Sequence, residues 1–163
     1  MIIDCGCLGD DEEGQLKKFL SEKHLKPVAL LDTHLHIDHI FGNNFVKKAF
    51  GLEAQAGAAD NYLIEHAVEY AAMLGITGIT PPPPVGKYLN DGDVVKFGDS
   101  ELKVIAVPGH SPGSLCFYSE PDRSAEGFGL GLSQVMQIAR YYCKLPLVHL
   151  GSRKMKQEAK QTL

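Results

Sequence analysis

Val28-Ala29-Leu30-Leu31-Asp32, followed directly by Thr33-His34-Leu35-His36-Ile37-Asp38-His39, is the stretch on which the reading of this chain turns. Its first half is an apolar run short enough for a buried strand. Its second half places three histidines and a carboxylate where that strand leaves the core. The end of a strand is a common position for an active site in α/β folds. Along an extended backbone, side chains two apart point the same way, so His34 and His36 share one side. Leu35 and Ile37 face the other and can anchor the segment. Two imidazoles presented in this manner fit a tetrahedral or five-coordinate ion with bonds of ~2.0–2.1 Å. Asp38 and His39 follow where the chain turns away, within reach of the same ion or a neighbouring one. Unconnected, solvated loop histidines would account for one such residue; three with an Asp between His34 and His39 favour a metal site.

Composition sets the outer bounds. A chain of 163 residues has the length of one ordinary domain with a real core. Charged residues at 22% and apolar ones at 44% describe a soluble globular protein, neither disordered nor membrane-embedded. A net charge of −4 supplies no electrostatic reason to expect nucleic acid or an anionic membrane as partner. Met1-Ile2-Ile3-Asp4 lacks the basic and apolar regions of a signal peptide, and no apolar run approaches the ~20 residues of a membrane span. The expected location is the cytoplasm. Cys5, Cys7, Cys116 and Cys143 are few and scattered, which favours reduced thiols over a disulfide framework. Cys5-Gly6-Cys7 reads as small residues packed in a tight turn; as a source of soft metal ligands it lacks a second pair and the usual spacing.

The order of elements predicts a layered α/β fold. Ile2-Ile3-Asp4 reads as a strand end, and an Asp10 cap opens a helix that places Leu16, Phe19 and Leu20 on one face. The strand Val28–Asp32 completes a β-α-β unit with parallel strands. Beyond the histidines, Phe45–Phe50 continues as a short helix ending near Gly51. Leu63, Ala67, Ala71 and Leu74 recur at helical spacing and predict one helix over Asp60–Leu74, with His66 on its surface beside Glu65. Pro81-Pro82-Pro83-Pro84 is read as a stiff connector within the domain in preference to a ligand for a partner. Further on the pattern turns to β: Asp93–Phe97, a Gly98-Asp99 turn, Leu102–Val107 and Leu115–Tyr118.

Between the last two of these strands lies Pro108-Gly109-His110-Ser111-Pro112-Gly113-Ser114, where a strand again delivers an imidazole into a rigid turn. His110 is the natural third nitrogen for His34 and His36. At this point the chain resembles a known family. His34-Leu35-His36-Ile37-Asp38-His39 matches the HxHxDH motif of the metallo-β-lactamase superfamily, and the His110 loop is similar to the next metal-binding motif of its glyoxalase II-like hydrolases. Ile2-Ile3-Asp4, Gly42-Asn43 and Leu102–Pro108 agree in order, so the resemblance runs from about Met1 to Glu120.

The resemblance implies an αββα sandwich in which His34, His36 and His110 hold one metal and Asp38 and His39 a second. It implies hydrolysis of a thioester or related small acyl substrate, acyl-glutathione at family level, by a metal-activated water that Asp38 orients or deprotonates. Zinc, one ion or two, suits the histidines best; iron or manganese also suits the mixed donors. The family pattern continues with a bridging Asp and a final His, for which Asp122 and His149 are poor matches in context. The chain therefore reads as a member truncated at both ends, with a partial domain over 1–122. The unmatched segment 123–163 carries a short amphipathic helix (Leu132, Val135, Met136, Ala139) and a polar tail with Lys154, Lys156 and Lys160. A sandwich missing half its layers leaves an apolar face uncovered, and homo-oligomerisation is expected. The competing expectation is a catalytically impaired metal-binding or interaction protein of the same ancestry.

Overall fold

The computed structural model describes residues 1–119 and 124–127. Asp122, His149, the helix expected around Leu132–Ala139 and the lysine-bearing tail lie outside the described residues.

Two four-stranded sheets stack against each other. The first contains β1 (Ile2–Ile3), β2 (Leu30–Leu31), β3 (Ala54–Gly57) and β4 (Lys87–Leu89), in that spatial order and all parallel. The second contains β5 (Val94–Phe97), β6 (Ser100–Ala106), β7 (Leu115–Ser119) and β8 (Ser124–Gly127), an antiparallel meander. The antiparallel meander falls after the proline run, where an all-β pattern is predicted, but parallel β4 also follows that run, and β3, β4 and β8 are not among the predicted strands.

Alternation along the short strands of the first sheet assigns each residue to a layer. Ile2, Leu30 and Ala54 face the helices α1 (Asp10–Glu22) and α3 (Asn43–Phe50), packing with Leu16, Phe45 and Val46. The next residues along, Ile3 and Leu31, face the second sheet and pack with Val95, Leu102, Val104, Leu115 and Phe117. A two-residue strand buried on both faces is what a helix–sheet–sheet arrangement requires. Three of the four layers of an αββα sandwich are thus in place among the described residues.

Several local expectations need adjustment. The ladder of β2 is shorter than Val28–Asp32: it spans Leu30–Leu31, both fully buried, and Val28 is already exposed. Helix α1 begins after Gly9, whose φ of 84° suits glycine; Asp10 is its first residue, and no side chain caps it. The helix predicted over Asp60–Leu74 is instead a 3-10 turn (Ala58–Asp60), α4 (Asn61–Glu65) and α5 (Ala67–Met73), broken at His66. Both short helices lie on Leu35, Ile37 and Ile40, through Leu63 and Ile64 from α4 and Ala67 and Ala71 from α5. By contrast α3 stops at Gly51, in the left-handed conformation expected of a glycine C-cap. Pro82 and Pro83 are buried, consistent with a connector inside the domain. No helix among the described residues is long and apolar enough to cross a membrane.

Candidate metal centre

Parallel strands β1 and β2 end side by side, which delivers Asp4 and Thr33 to the same edge. Asp4 has a φ of 52°, a left-handed conformation that Asp tolerates better than most residues. Its carboxylate accepts hydrogen bonds from the Thr33 amide (2.7 Å, to Oδ1) and the Thr33 hydroxyl (2.8 Å, to Oδ2). The hydroxyl has one proton, and it goes to Asp4. His34 Nδ1, 3.1 Å from the same Oγ1, is therefore the donor there, so Nε2 carries the lone pair.

His36 is in extended conformation (φ −66°, ψ 145°) and immediately precedes the single helical turn α2 (Ile37–Ile40). Leu35, Ile37 and Ile40 anchor this stretch in the core, as the alternation predicted for Leu35 and Ile37. The turn of α2 then carries Asp38 and His39. His39 Nδ1 lies 3.0 Å from Asp4 Oδ2, an ion-pair contact when the ring is protonated. The opposite nitrogen, Nε2, lies 3.6 Å from Asp38 Oδ2. A ring nitrogen and a carboxylate oxygen this close, the Asp38 side chain partly exposed, are of the donor types that a cation would take.

The second ligand loop joins the first through the seam between the sheets. Leu115, at the start of β7, donates its amide to the Thr33 carbonyl at 2.7 Å, and the Val107 amide bonds the Ser114 carbonyl at 2.9 Å to close the His110 loop. His110 is thereby brought to 2.9 Å from His36, Nε2 to Nδ1. One ligand atom each from His34, His36 and His110 lies within 4.8 Å of the other two. Adjacent ligands of a tetrahedral ion with ~2.05 Å bonds are ~3.3 Å apart, so small side-chain rotations would close the site on a metal.

The protonation states suit that use. His34 is pushed down to about 2, by burial first and then by the neighbouring His39, His36 and His110. His36 is also lowered, by burial first and then by His110. Burial thus favours the neutral forms of His34 and His36, in which an imidazole offers a lone pair to a divalent ion, and the residues present fit such an ion.

Sequence reasoning selected His34, His36, Asp38, His39 and His110, and the structure brings these five together. His66 is exposed and pairs with Glu69 at 3.5 Å, away from this cluster. Cys5 and Cys7 are buried against α3, and the hydrogen bond between them raises the Cys5 thiol and lowers Cys7. Gly42 is required there, since a Cβ would strike Cys5. Among the described residues, the only cluster of three or more candidate ligands is His34, His36 and His110. Asp4, Thr33 and Asp60 were not singled out by sequence reasoning. Parallel neighbours ending together could have flagged the first two.

The family profile of the Metallo-beta-lactamase superfamily matches residues 1–124. The chain belongs to this superfamily. A hydroxyacylglutathione hydrolase of Cereibacter sphaeroides is 34% identical over 115 residues, 69% of this chain and 37% of that protein. Among solved structures, TTHA1623 in a di-iron-bound form is 32% identical with a TM-score of 0.64, covering 76% of this chain and 58% of the other. The B3 metallo-beta-lactamase BLEG-1 is 27% identical with a TM-score of 0.65, over 76% and 57%. The chain spans about three fifths of the length of relatives from Aquifex aeolicus (63%) and Bacillus subtilis (57%), each 30% identical to it.

Proposed function

We propose that this chain carries the first metal site of a metal-dependent hydrolase acting on a thioester, of the acyl-glutathione class. The observation that carries this reading is the convergence of His34, His36 and His110 within 4.8 Å. These residues would hold a divalent ion, with Asp38 and His39 the start of a second site. An ion bound there lowers the pKa of its water from 15.7 toward ~7 and polarises a substrate carbonyl. Thr33 and Asp4 fix the His34 tautomer, and the Asp4 carboxylate lies against His39. Asp38, partly exposed beside His39, would orient a water and accept its proton at Oδ2. The histidine donors suit zinc, and the di-iron form of TTHA1623 makes iron the principal competitor.

Support for a thioester comes from the hydroxyacylglutathione hydrolase relative, and the B3 metallo-beta-lactamase neighbour supplies a β-lactam as the contrasting substrate. The test is elemental analysis of the purified protein. Hydrolysis of an acyl-glutathione thioester and of a cephalosporin follows, before and after chelation, with His36→Ala as control. Chelator-sensitive thioester turnover is expected; cephalosporin turnover alone would overturn the substrate assignment. A second reading, a metal-binding protein without turnover, is favoured by there being one cluster of three ligands among the described residues. Tight metal binding with neither substrate hydrolysed would establish it. No bound metal would end both readings.

A further inference from the structure

Asp60 closes the 3-10 turn after β3 and is fully buried, yet it lies 25 residues or more from every partner it holds. Its Oδ2 accepts from the Ser111 hydroxyl at 2.6 Å and, more weakly, from the Leu35 amide at 3.4 Å. Its Oδ1 accepts from the Gly113 amide at 2.7 Å. Leu35 lies between the ligands His34 and His36, while Ser111 and Gly113 follow the ligand His110. One carboxylate therefore ties together the two loops that must meet for three imidazoles to converge.

The contact leaves no slack. A Cβ on Gly113 would lie 2.7 Å from the Asp60 carboxyl carbon, and one on Gly57 would strike the Gly113 carbonyl. Ser111 is held further by Ser114, hydroxyl to hydroxyl at 2.8 Å and amide to hydroxyl at 3.1 Å. The His110 loop is thus seated on the end of β3 through Asp60, with no side chain intervening.

We infer that Asp60 is a positioning residue: it sets the place of His110 relative to His36 and so determines the affinity of the three-histidine site. This rests on the metal-site reading above. Charge-assisted bonds to two amides and a hydroxyl are stronger than neutral ones, and an Asn at this position keeps one acceptor where the carboxylate has two. Outer partners of metal ligands typically contribute 10–100-fold to metal affinity.

The experiment titrates the protein with cobalt(II) alone and follows the visible absorption band, which reports ligand number as well as affinity. Asp60→Asn is expected to weaken cobalt binding ~10–100-fold and to move the band toward that of His110→Ala. In the His110→Ala background, Asp60→Asn is expected to add less than ~2-fold, because Asp60 would act through a ligand already removed. Wild-type affinity and band in folded Asp60→Asn would overturn the inference, as would an equal loss in both backgrounds. Should Asp60→Asn lack its far-UV circular dichroism signature, Ser111→Ala decides: a weakening of ~3–10-fold supports the inference and no change overturns it. Equal cobalt binding by wild type and His110→Ala would instead refute the metal-site reading itself.

Discussion

Thr33→Val isolates one hydroxyl without creating a cavity, since the two side chains have nearly the same volume. Two bonds are lost, 2.8 Å to Asp4 Oδ2 and 3.1 Å to His34 Nδ1, while the amide bond to Asp4 Oδ1 at 2.7 Å survives. A hydrogen bond to a charged group contributes ~1.5–3 kcal/mol and a neutral one ~1 kcal/mol. Asp4 Oδ2 keeps the His39 contact at 3.0 Å, which offsets part of the loss. The expected cost is about 3 kcal/mol, a large share of the 5–15 kcal/mol that typical domains possess. In urea denaturation with m of ~1.5–2 kcal/mol/M, the midpoint should fall by ~1.5–2 M with m unchanged. Thr33→Ser, which keeps the hydroxyl, should lose only about 1 kcal/mol. Zinc affinity of Thr33→Val should drop ~10–100-fold, because the His34 tautomer is no longer fixed. A midpoint within 0.3 M of wild type (about 0.5 kcal/mol), together with unchanged zinc affinity, would refute the orienting role assigned to Thr33.

Three further expectations concern pH and packing. His34 is lowered to about 2 in the folded chain, so the unfolded state binds its proton first as pH falls below ~6.5. Metal-free protein should then lose stability by at most about 1.4 kcal/mol per pH unit for this group, measured by denaturation in chelator from pH 7 to 4; a flat profile would contradict it. Asp32 is raised well above the carboxylate range, by burial first and then by Asp4, so its contribution is fully present below ~3.8 and is lost as pH rises through its folded value. Asp32→Asn should therefore gain stability relative to wild type as pH climbs, a difference that denaturation at pH 4 and pH 8 would reveal by its sign. Phe117, buried between the sheets, should cost ~3–5 kcal/mol as Phe117→Ala, read from the thermal or urea midpoint; a loss under 1 kcal/mol would mean the intersheet core is wrongly placed.

The candidate ligands stood out in the sequence because metal chemistry concentrates rare residue types. His34, His36, Asp38 and His39 lie close together, and His110 follows a strong strand in a Gly–Pro loop. The parallel pair β1–β2 and the antiparallel β5–β7 were legible too, through the β-α-β order near the start and the alternating runs after Asp93, whereas short β3 and β4 carry too few residues to show a pattern. What holds the ligands in place was much less so. Asp60 has three partners in two loops, at separations of 25, 51 and 53 residues, and its neighbours Gly57-Ala58-Ala59 carry no pattern that marks a buried carboxylate. The break at His66 was invisible for a related reason. Apolar spacing reports which side of a helix is buried, and α4 and α5 both bury that side on Leu35, Ile37 and Ile40 despite the interruption.

The contact between His36 and His110 spans 74 residues of chain and crosses from one sheet to the other. Contacts of such separation form late in folding, after loop closure has been met by other interactions. An ion at this junction gains nothing until both sheets are assembled, and it must be released, or one ligand detached, before they part. Its influence should fall on the unfolding limb of a chevron plot and leave the folding limb nearly unchanged. A bound metal would act as a latch on the persistence of the native state: loaded protein would differ from stripped protein chiefly in how long it stays folded.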